Sequence, residues 1–379
     1  MKILVTDCFN RKAFDIVNIL QRSYSKDTII LASSKTVSIR EQIIYRKRII
    51  RIYKHNQQSF NAGLLKVSRM YSNEKIIYIP VEEDTTCLFL NFIKDTGSHN
   101  FNYCLPDIES FALARDKLLL NKFCIINKIP APSIFEDIDY TYLNDNFVSL
   151  IAKPRIGSGA KGIINVDTID DIYKLKNIKN IDNYVVQEKL KNGKDVKGAF
   201  FLCYRGNIIE SYCHERIRTY PISGGVSVYS KITFNNEIIR IGSELLKKMN
   251  WSGFAMIEFL WDEKTETYKV IEINPRLWGS ILLSEFAGTN FLKNYINLSL
   301  SDSIENSLIR KDVKIRWLPF DFVNWFVLHG KIKSFWKLNR EFTCFINITY
   351  ASWWSIFWFH LFFYLNLSNF KTLLEKWKK

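Results

Sequence analysis

The sequence contains no C-x-x-C pair and no cysteine–histidine spacing of the kind that closes a zinc site. Its seven cysteines, at 8, 87, 104, 124, 203, 213 and 344, are odd in number and dispersed. That is the pattern of reduced thiols in a cytosolic protein. The first residues, MKILVTDCF, pass straight into a strand-like run and lack the longer apolar stretch and cleavage site of a signal peptide. The chain is therefore expected to begin in the cytoplasm. There is no Gly-Lys-Ser/Thr of a Walker loop, and no G-x-G-x-x-G follows the first apolar run. Neither a Ser/His/Asp nor a Cys/His set is present, so no side-chain nucleophile is indicated. No internal repeat and no low-complexity linker divides the chain. A basic helix and an RNA-recognition signature are both missing, so nucleic acid is not expected as a partner.

What the sequence does have is length, aromatic residues and positive charge. At 379 residues it exceeds one small core, and two or three lobes are expected. The hydrophobic share is 47%, the aromatic share 15% and the formal net charge +15. Such a charge favours an anionic partner such as nucleotide, phospholipid, acidic glycan or nucleic acid, and does not choose between them. Apolar runs at 2–6, 28–32 and 75–80, with a helical pattern from Lys12, read as parallel α/β structure. A Rossmann-like N-terminal lobe over 1–105 is the expectation. Residues 107–127 read as helix, ended by Ile129-Pro-Ala-Pro. Residues 148–270 read as strand-rich, with turns at Arg205-Gly-Asn and Gly224-Gly and a helix over 236–249.

Three groups of residues carry chemistry. The stretch Ala152-Lys-Pro-Arg-Ile-Gly-Ser-Gly-Ala-Lys-Gly162 follows an apolar run. Gly157, Gly159 and Gly162 allow a tight loop whose amides turn toward an anion, and Lys153 and Lys161 add cationic donors. A phosphate-cradling loop between two strands fits, as does a plain glycine-rich hairpin. Glu258 in Phe254-Ala-Met-Ile-Glu-Phe-Leu and Glu272 and Asn274 in Val270-Ile-Glu-Ile-Asn-Pro-Arg lie on strand-like segments separated by a turn near 263–267. Glu272 and Asn274, two apart, share a face. Two carboxylates and an amide oxygen are hard ligands that suit Mg²⁺, with Mn²⁺ as a substitute. Arg276 follows on the same face and can stabilise charge during phosphoryl transfer.

The order Arg115-Asp-Lys117, Lys153-Pro with its glycine loop, Val186-Gln-Glu-Lys-Leu190, Glu258 and Glu272-Ile-Asn-Pro-Arg276 resembles the ATP-grasp superfamily. Arg216-Ile-Arg218, Pro221, Gly224-Gly-Val-Ser227 and Glu272 through Ser280 are similar to the ATP-dependent carboligase group that includes D-aspartate ligase. The resemblance spans about residues 70–300. It implies an ATP-grasp domain over 106–304, in which two α+β subdomains grip ATP. It implies that Lys117 and Lys153 contact ATP, and that the loop Gly157, Ser158, Gly159, Ala160, Lys161, Gly162 closes over the phosphates. Glu188, Lys189 and Leu190 would form the adenine hinge, and Asp195 would bind the ribose. Glu258, Glu272 and Asn274 would hold Mg²⁺. Lys153 and Arg276 would act on the transferred phosphoryl group, and Arg216 and Arg218 would face the second substrate. Trp278 and His214 read as structural residues.

The implied activity is an ADP-forming ligase that joins a carboxylate to an amine through an acyl phosphate. Cell-surface polysaccharide or wall precursors are expected substrates, and a homo-oligomer is compatible. A non-catalytic nucleotide-binding protein associated with membranes is the second reading. The remaining segment, 305–379, is basic and aromatic, with 12 Lys/Arg, 5 Asp/Glu and seven of the ten tryptophans. No Asp, Glu, Lys or Arg lies between Glu341 and Lys371. A helix over Tyr350–Leu365 would be about 24 Å long, short of a ~30 Å hydrocarbon core. Contact of 342–379 with the inner membrane face is therefore one expectation, and a core or oligomer contact is another.

Overall fold

The computed structural model describes residues 1–34, 45, 49–135, 149–157, 162–178, 180–190, 196–220, 226–318, 321 and 344–347. Its N-terminal part alternates strand and helix: β1 (Lys2–Val5), α1 (Arg11–Ser23), β2 (Ile29–Ser33), β3 (Ile49–Arg51), α2 (Gln57–Met70), β4 (Ile76–Ile79), α3 (Glu83–Thr96) and β5 (Phe101–Asn102). Two helices, α4 (Ile108–Arg115) and α5 (Lys117–Ile126), precede β6 (Leu150–Pro154), β7 (Ile164–Val166) and β8 (Tyr184–Glu188). Then come β9 (Lys197–Tyr204), β10 (Asn207–Tyr220), β11 (Val226–Thr233), α6 (Asn236–Lys248), β12 (Gly253–Asp262) and β13 (Thr267–Asn274). The last described elements are α7 (Ile281–Phe286), α8 (Phe291–Leu300), β14 (Lys314–Arg316) and β15 (Cys344–Ile346).

Contacts group the chain into two compact units. One comprises Met1–Cys104, Glu215–Thr233 and Arg276–Lys379; the other comprises Leu105–His214 and Phe234–Pro275. The first unit is built on a parallel sheet of order β3-β2-β1-β4-β5. Strands β2 and β4 are buried along their whole length, as is β1 from Ile3 to Val5. This is what covering both faces of a parallel sheet demands of its sequence. The strand order turns back between β1 and β4, the position where such sheets form a crevice beyond their carboxyl ends. The same unit contains β11 paired antiparallel with β14, and β14 paired parallel with β15. Phe345 of β15 stacks on Phe286 at 4.4 Å, and the Asn347 side chain bonds both the N–H and the carbonyl of Leu318. Part of the uncharged C-terminal segment is thus a sheet strand. The expected helix over Tyr350–Leu365 lies outside the described residues. Among the described residues no helix is long and apolar enough to cross a membrane.

The second unit holds an antiparallel sheet of order β7-β6-β8 over a small core of Leu150, Ala152, Val166, Ile172, Leu175 and Val186. It also holds the antiparallel run β13-β12-β9 and the first half of β10, through His214. Helix α6 packs on β9, and its Gly242 sits so close that an added Cβ would lie 2.6 Å from the Phe201 ring. Helix α5 packs on β13 and reaches β8, so it spans both sheets. The single helix expected over 107–127 is in fact two. Asp116 is the reason: its extended backbone ends α4, and its carboxylate caps α5 at the N–H groups of Leu118 and Leu119.

Candidate active site

Strand register builds a carboxylate pair on the second unit. Glu258 on β12 stands opposite Glu272 on β13 and opposite Gly198 on β9. Gly198 in turn faces His214 on β10, so one row across the sheet reads His214, Gly198, Glu258, Glu272. The next row reads Tyr212, Phe200, Met256, Asn274. Gly198 has no side chain of its own, and the Phe200 and His214 rings lie 3.3 and 3.6 Å from where its Cβ would be. Two carboxylates directly opposite each other repel unless a cation lies between them.

Two lysines supply positive charge here. Lys117, the first residue of α5, places its Nζ 3.2 Å from Glu272 Oε2 and donates to the Gly157 carbonyl at 2.8 Å. Lys153 on β6 is 8% exposed. Burial pulls its pKa down, Glu272 pulls it up, Lys117 pulls it down and Glu258 pulls it up, with a lowered net result. Asn274 Nδ2 donates to Glu272 Oε1 at 3.2 Å, an orientation that directs the amide oxygen elsewhere. A divalent cation fits this donor set, because Glu258, Glu272 and the Asn274 amide oxygen are hard oxygens on adjoining strands and the acidic pair already draws cations. Among the described residues no three His, Cys, Asp or Glu side chains gather as a metal cluster, and the Asn274 amide would have to turn for its oxygen to join the two carboxylates.

The start of the glycine loop is held by residues that the sequence reading passed over. Arg155 Nε and Nη2 grip the Asp116 carboxylate at 2.6–3.1 Å, and Lys117 N–H donates to the Arg155 carbonyl at 2.9 Å. Burial pushes the Asp116 pKa up, but Arg155 and the capped N–H groups outweigh it, leaving a lowered value. Asp116 thus fixes both the end of β6 and the helix that carries Lys117. Its signal in the sequence was an N-cap residue at the centre of the Arg115-Asp-Lys117 motif. Gly157 and Gly162 flank the loop with φ of 148° and 73°, conformations that suit glycine. Ser158, Gly159, Ala160, Lys161 and Asp195 lie outside the described residues.

The segment after β8 is also anchored. The N–H groups of Glu188 and Lys189 donate to the carbonyls of Ser133 and Ser149 at 2.9 and 2.8 Å. The Glu188 carboxylate accepts from Ser133 N–H and pairs with Lys269, which also binds Asp262 at 2.8 Å. Lys269 lies on β13, on the strand that carries Glu272. Nothing in the residue pattern marked it. Leu190 is buried.

Arg276 and Arg218 belong to the first unit. Arg276 Nε binds Glu83 Oε1 at 3.0 Å, and its charge adds to burial in lowering the Lys12 pKa to about 8. Lys12 in turn binds Glu82 at 3.0 Å. Arg218 binds Asp321 through two hydrogen bonds. Trp278 is buried edge-on to Phe291, and His214 is buried edge-on to Phe200.

These residues lie in or beside a recognisable segment: residues 114–280 match the ATP-grasp domain family. The chain carries an ATP-grasp domain, and its fold is a mixed α/β ATP-grasp fold. Solved structures agree. Biotin carboxylase from Campylobacter jejuni, in a βγ-ATP complex, aligns with a TM-score of 0.62 at 14% identity, covering 83% of this chain and 74% of that one. L-amino acid ligase from Bacillus licheniformis gives 0.62 at 12%, covering 83% and 78%. N5-carboxyaminoimidazole ribonucleotide synthetase from Thermotoga maritima gives 0.56 at 13%, covering 81% and 78%. No curated protein sequence matches the chain.

Proposed function

We propose that the chain is an ATP- and magnesium-dependent, ADP-forming ligase that joins a carboxylate to an amine through an acyl phosphate. The observation that carries this reading is one arrangement within the ATP-grasp match. Lys117 bridges the glycine loop and Glu272, and Lys153 and Glu258 lie within electrostatic reach of the same carboxylate. The aligned structures support it, being a biotin carboxylase in a βγ-ATP complex, an L-amino acid ligase and an N5-carboxyaminoimidazole ribonucleotide synthetase. The segments 1–105, 106–304 and 305–379 are proposed as the N-terminal, ATP-grasp and C-terminal parts.

In this reading the substrate carboxylate attacks the γ-phosphorus of ATP and ADP leaves. The amine then displaces phosphate from the acyl group. Lys117 and Lys153 bind phosphate oxygens and neutralise the charge that passes to them. The loop 157–162 covers the phosphates and keeps water from the acyl phosphate. Adenine docks at the end of β8. There the N–H groups of Glu188 and Lys189 already donate to the carbonyls of Ser133 and Ser149. Glu258, Glu272 and Asn274 would hold magnesium, which would supply charge neutralisation at the phosphates. Arg276 acts on the transferred phosphoryl group and Arg218 on the second substrate. The basic, aromatic C-terminal segment favours substrates presented at an anionic surface, such as cell-surface polysaccharide or wall precursors.

The test is ATP turnover by the purified chain with Mg²⁺ across pools of amino acids, uronic acids and wall precursors. Phosphate release is expected with one acid–amine pair, and Glu272→Gln should lower it about a hundredfold or more. Tight ATP binding without turnover in any pool would favour the non-catalytic nucleotide-binding reading instead.

A further inference from the structure

A second concentration of charge lies within the first unit. Tyr229 on β11 and Arg316 on β14 are register partners. The guanidiniums of Arg218, on β10, and of Arg316 both lie over the Tyr229 ring, 4.4 and 4.5 Å from its centroid. Asp321, 1% exposed, takes Arg218 side-on, with Nε to Oδ1 at 2.7 Å and Nη2 to Oδ2 at 2.8 Å. The same carboxylate reaches Arg316 Nε only at 3.8 Å, too far for a hydrogen bond.

Arg316 is 5% exposed, and its Nε and Nη2 are enclosed without a hydrogen-bond acceptor. They are the same two donors with which Arg218 grips Asp321. Burial works against the Arg316 charge, while a hydrogen bond with Tyr229 and the charges of Cys344 and Asp321 favour it, with a raised pKa as the net result. Asp321 hydrogen-bonds Arg218 and leaves the Nε and Nη2 donors of Arg316 without an acceptor. Enclosing charged donors without an acceptor is costly, and an anion that joins them removes that cost. The vacant fork is planar with two parallel donors, which matches a carboxylate in shape and in charge.

We propose that Arg316, stacked on Tyr229 beside Arg218, is a carboxylate-binding subsite that anchors a substrate acid group, with Asp321 holding Arg218 in place. A carboxylate gripped by that fork is neutralised and poorly nucleophilic. It therefore anchors a substrate that carries an acid besides its reacting group. Arg316 and Asp321 both lie beyond the 114–280 match, so this specificity comes from the chain's own C-terminal part. The role as substrate anchor rests on the ligase reading; the binding itself does not.

Equilibrium dialysis of the full chain against labelled acetate, succinate and inorganic phosphate, at fixed ionic strength and without ATP, tests it. Saturable binding of the carboxylates is expected. Arg316→Lys, which keeps the charge and removes the fork, should weaken it by about tenfold or more. Asp321→Asn, which frees the second fork, should tighten it. Absent binding, equal affinity in the wild type and Arg316→Lys, or binding of phosphate alone would each overturn the proposal. If Arg316→Lys does not fold, as read by thermal unfolding, Asp321→Asn decides: tighter binding supports the subsite and unchanged or weaker binding overturns it. Carboxylate binding in a chain that never turns over ATP would keep the subsite and remove only its part in ligation.

Discussion

Asp15 shows how far a single buried side chain can be moved. It lies on α1, accepts a hydrogen bond from Trp317 Nε1 at 3.4 Å and has its pKa raised from 3.8 to about 7. Burial is the chief cause, and Arg11 and Trp317 only partly oppose it. The raised folded value means that the native state holds the proton more tightly than the unfolded chain. The stability this contributes is complete below about pH 3.8 and is lost as pH rises to about 7, to the extent of roughly 4 kcal/mol at most. Asp15→Asn keeps the acceptor for Trp317 without the ionisation. Its denaturation midpoint should therefore exceed that of the wild type at pH 8, and the gap should shrink at pH 5. A gap that does not change with pH would mean that Asp15 does not titrate in this range.

The elements repeat the theme of close approach. Gly242 on α6 meets Phe201, and the same ring carbons would lie 2.6 and 2.8 Å from an alanine Cβ. Gly242→Ala should therefore destabilise the fold by about 1–3 kcal/mol despite the better helix propensity of alanine, as read from a chemical denaturation curve. Much of this architecture was legible. The alternating runs at 2–6, 28–32 and 75–80 became β1, β2 and β4, because strands buried on both faces are continuously apolar. The helix 236–249 and the hairpin around 263–267 were legible for the same reason of periodicity. Strand β3 was not, since three residues, Ile49–Arg51, give no period. Helix α2 buries only Phe60, Leu64 and Val67 and is otherwise polar, so its stripe was too thin to read. At the candidate site the motifs supplied the ligand-type residues. The partners that aim them, Asp116–Arg155 and Lys269, depend on pairings distant in sequence that no local pattern encodes.

For the whole molecule, the formal charge of +15 and the aromatic C-terminal segment belong together. Strand β15 sets where that segment can be cut. A chain ending at residue 340 would lose the β14–β15 pairing and the Phe286–Phe345 stack along with the uncharged stretch. A chain ending after residue 348 keeps both. Flotation with anionic vesicles at low salt should carry the intact chain upward and leave the 348-residue chain behind, with the difference fading as salt rises. Equal flotation of the two would remove the membrane contact. Lys117 has a consequence of another kind. One ammonium group satisfies both the carbonyl that opens the phosphate loop and a carboxylate proposed to bind metal. In the proposed reading, nucleotide phosphates would compete for it on one side, and a divalent ion would displace it on the other. The two ligands therefore share a thermodynamic cycle, in which whichever arrives first has already released the lysine that the other must move. Reciprocity requires each to raise the affinity of the other by the same factor. In Lys117→Met the part of that coupling carried by the lysine should be lost, so that calorimetric titrations of ADP with and without Mg²⁺ differ less than in the wild type.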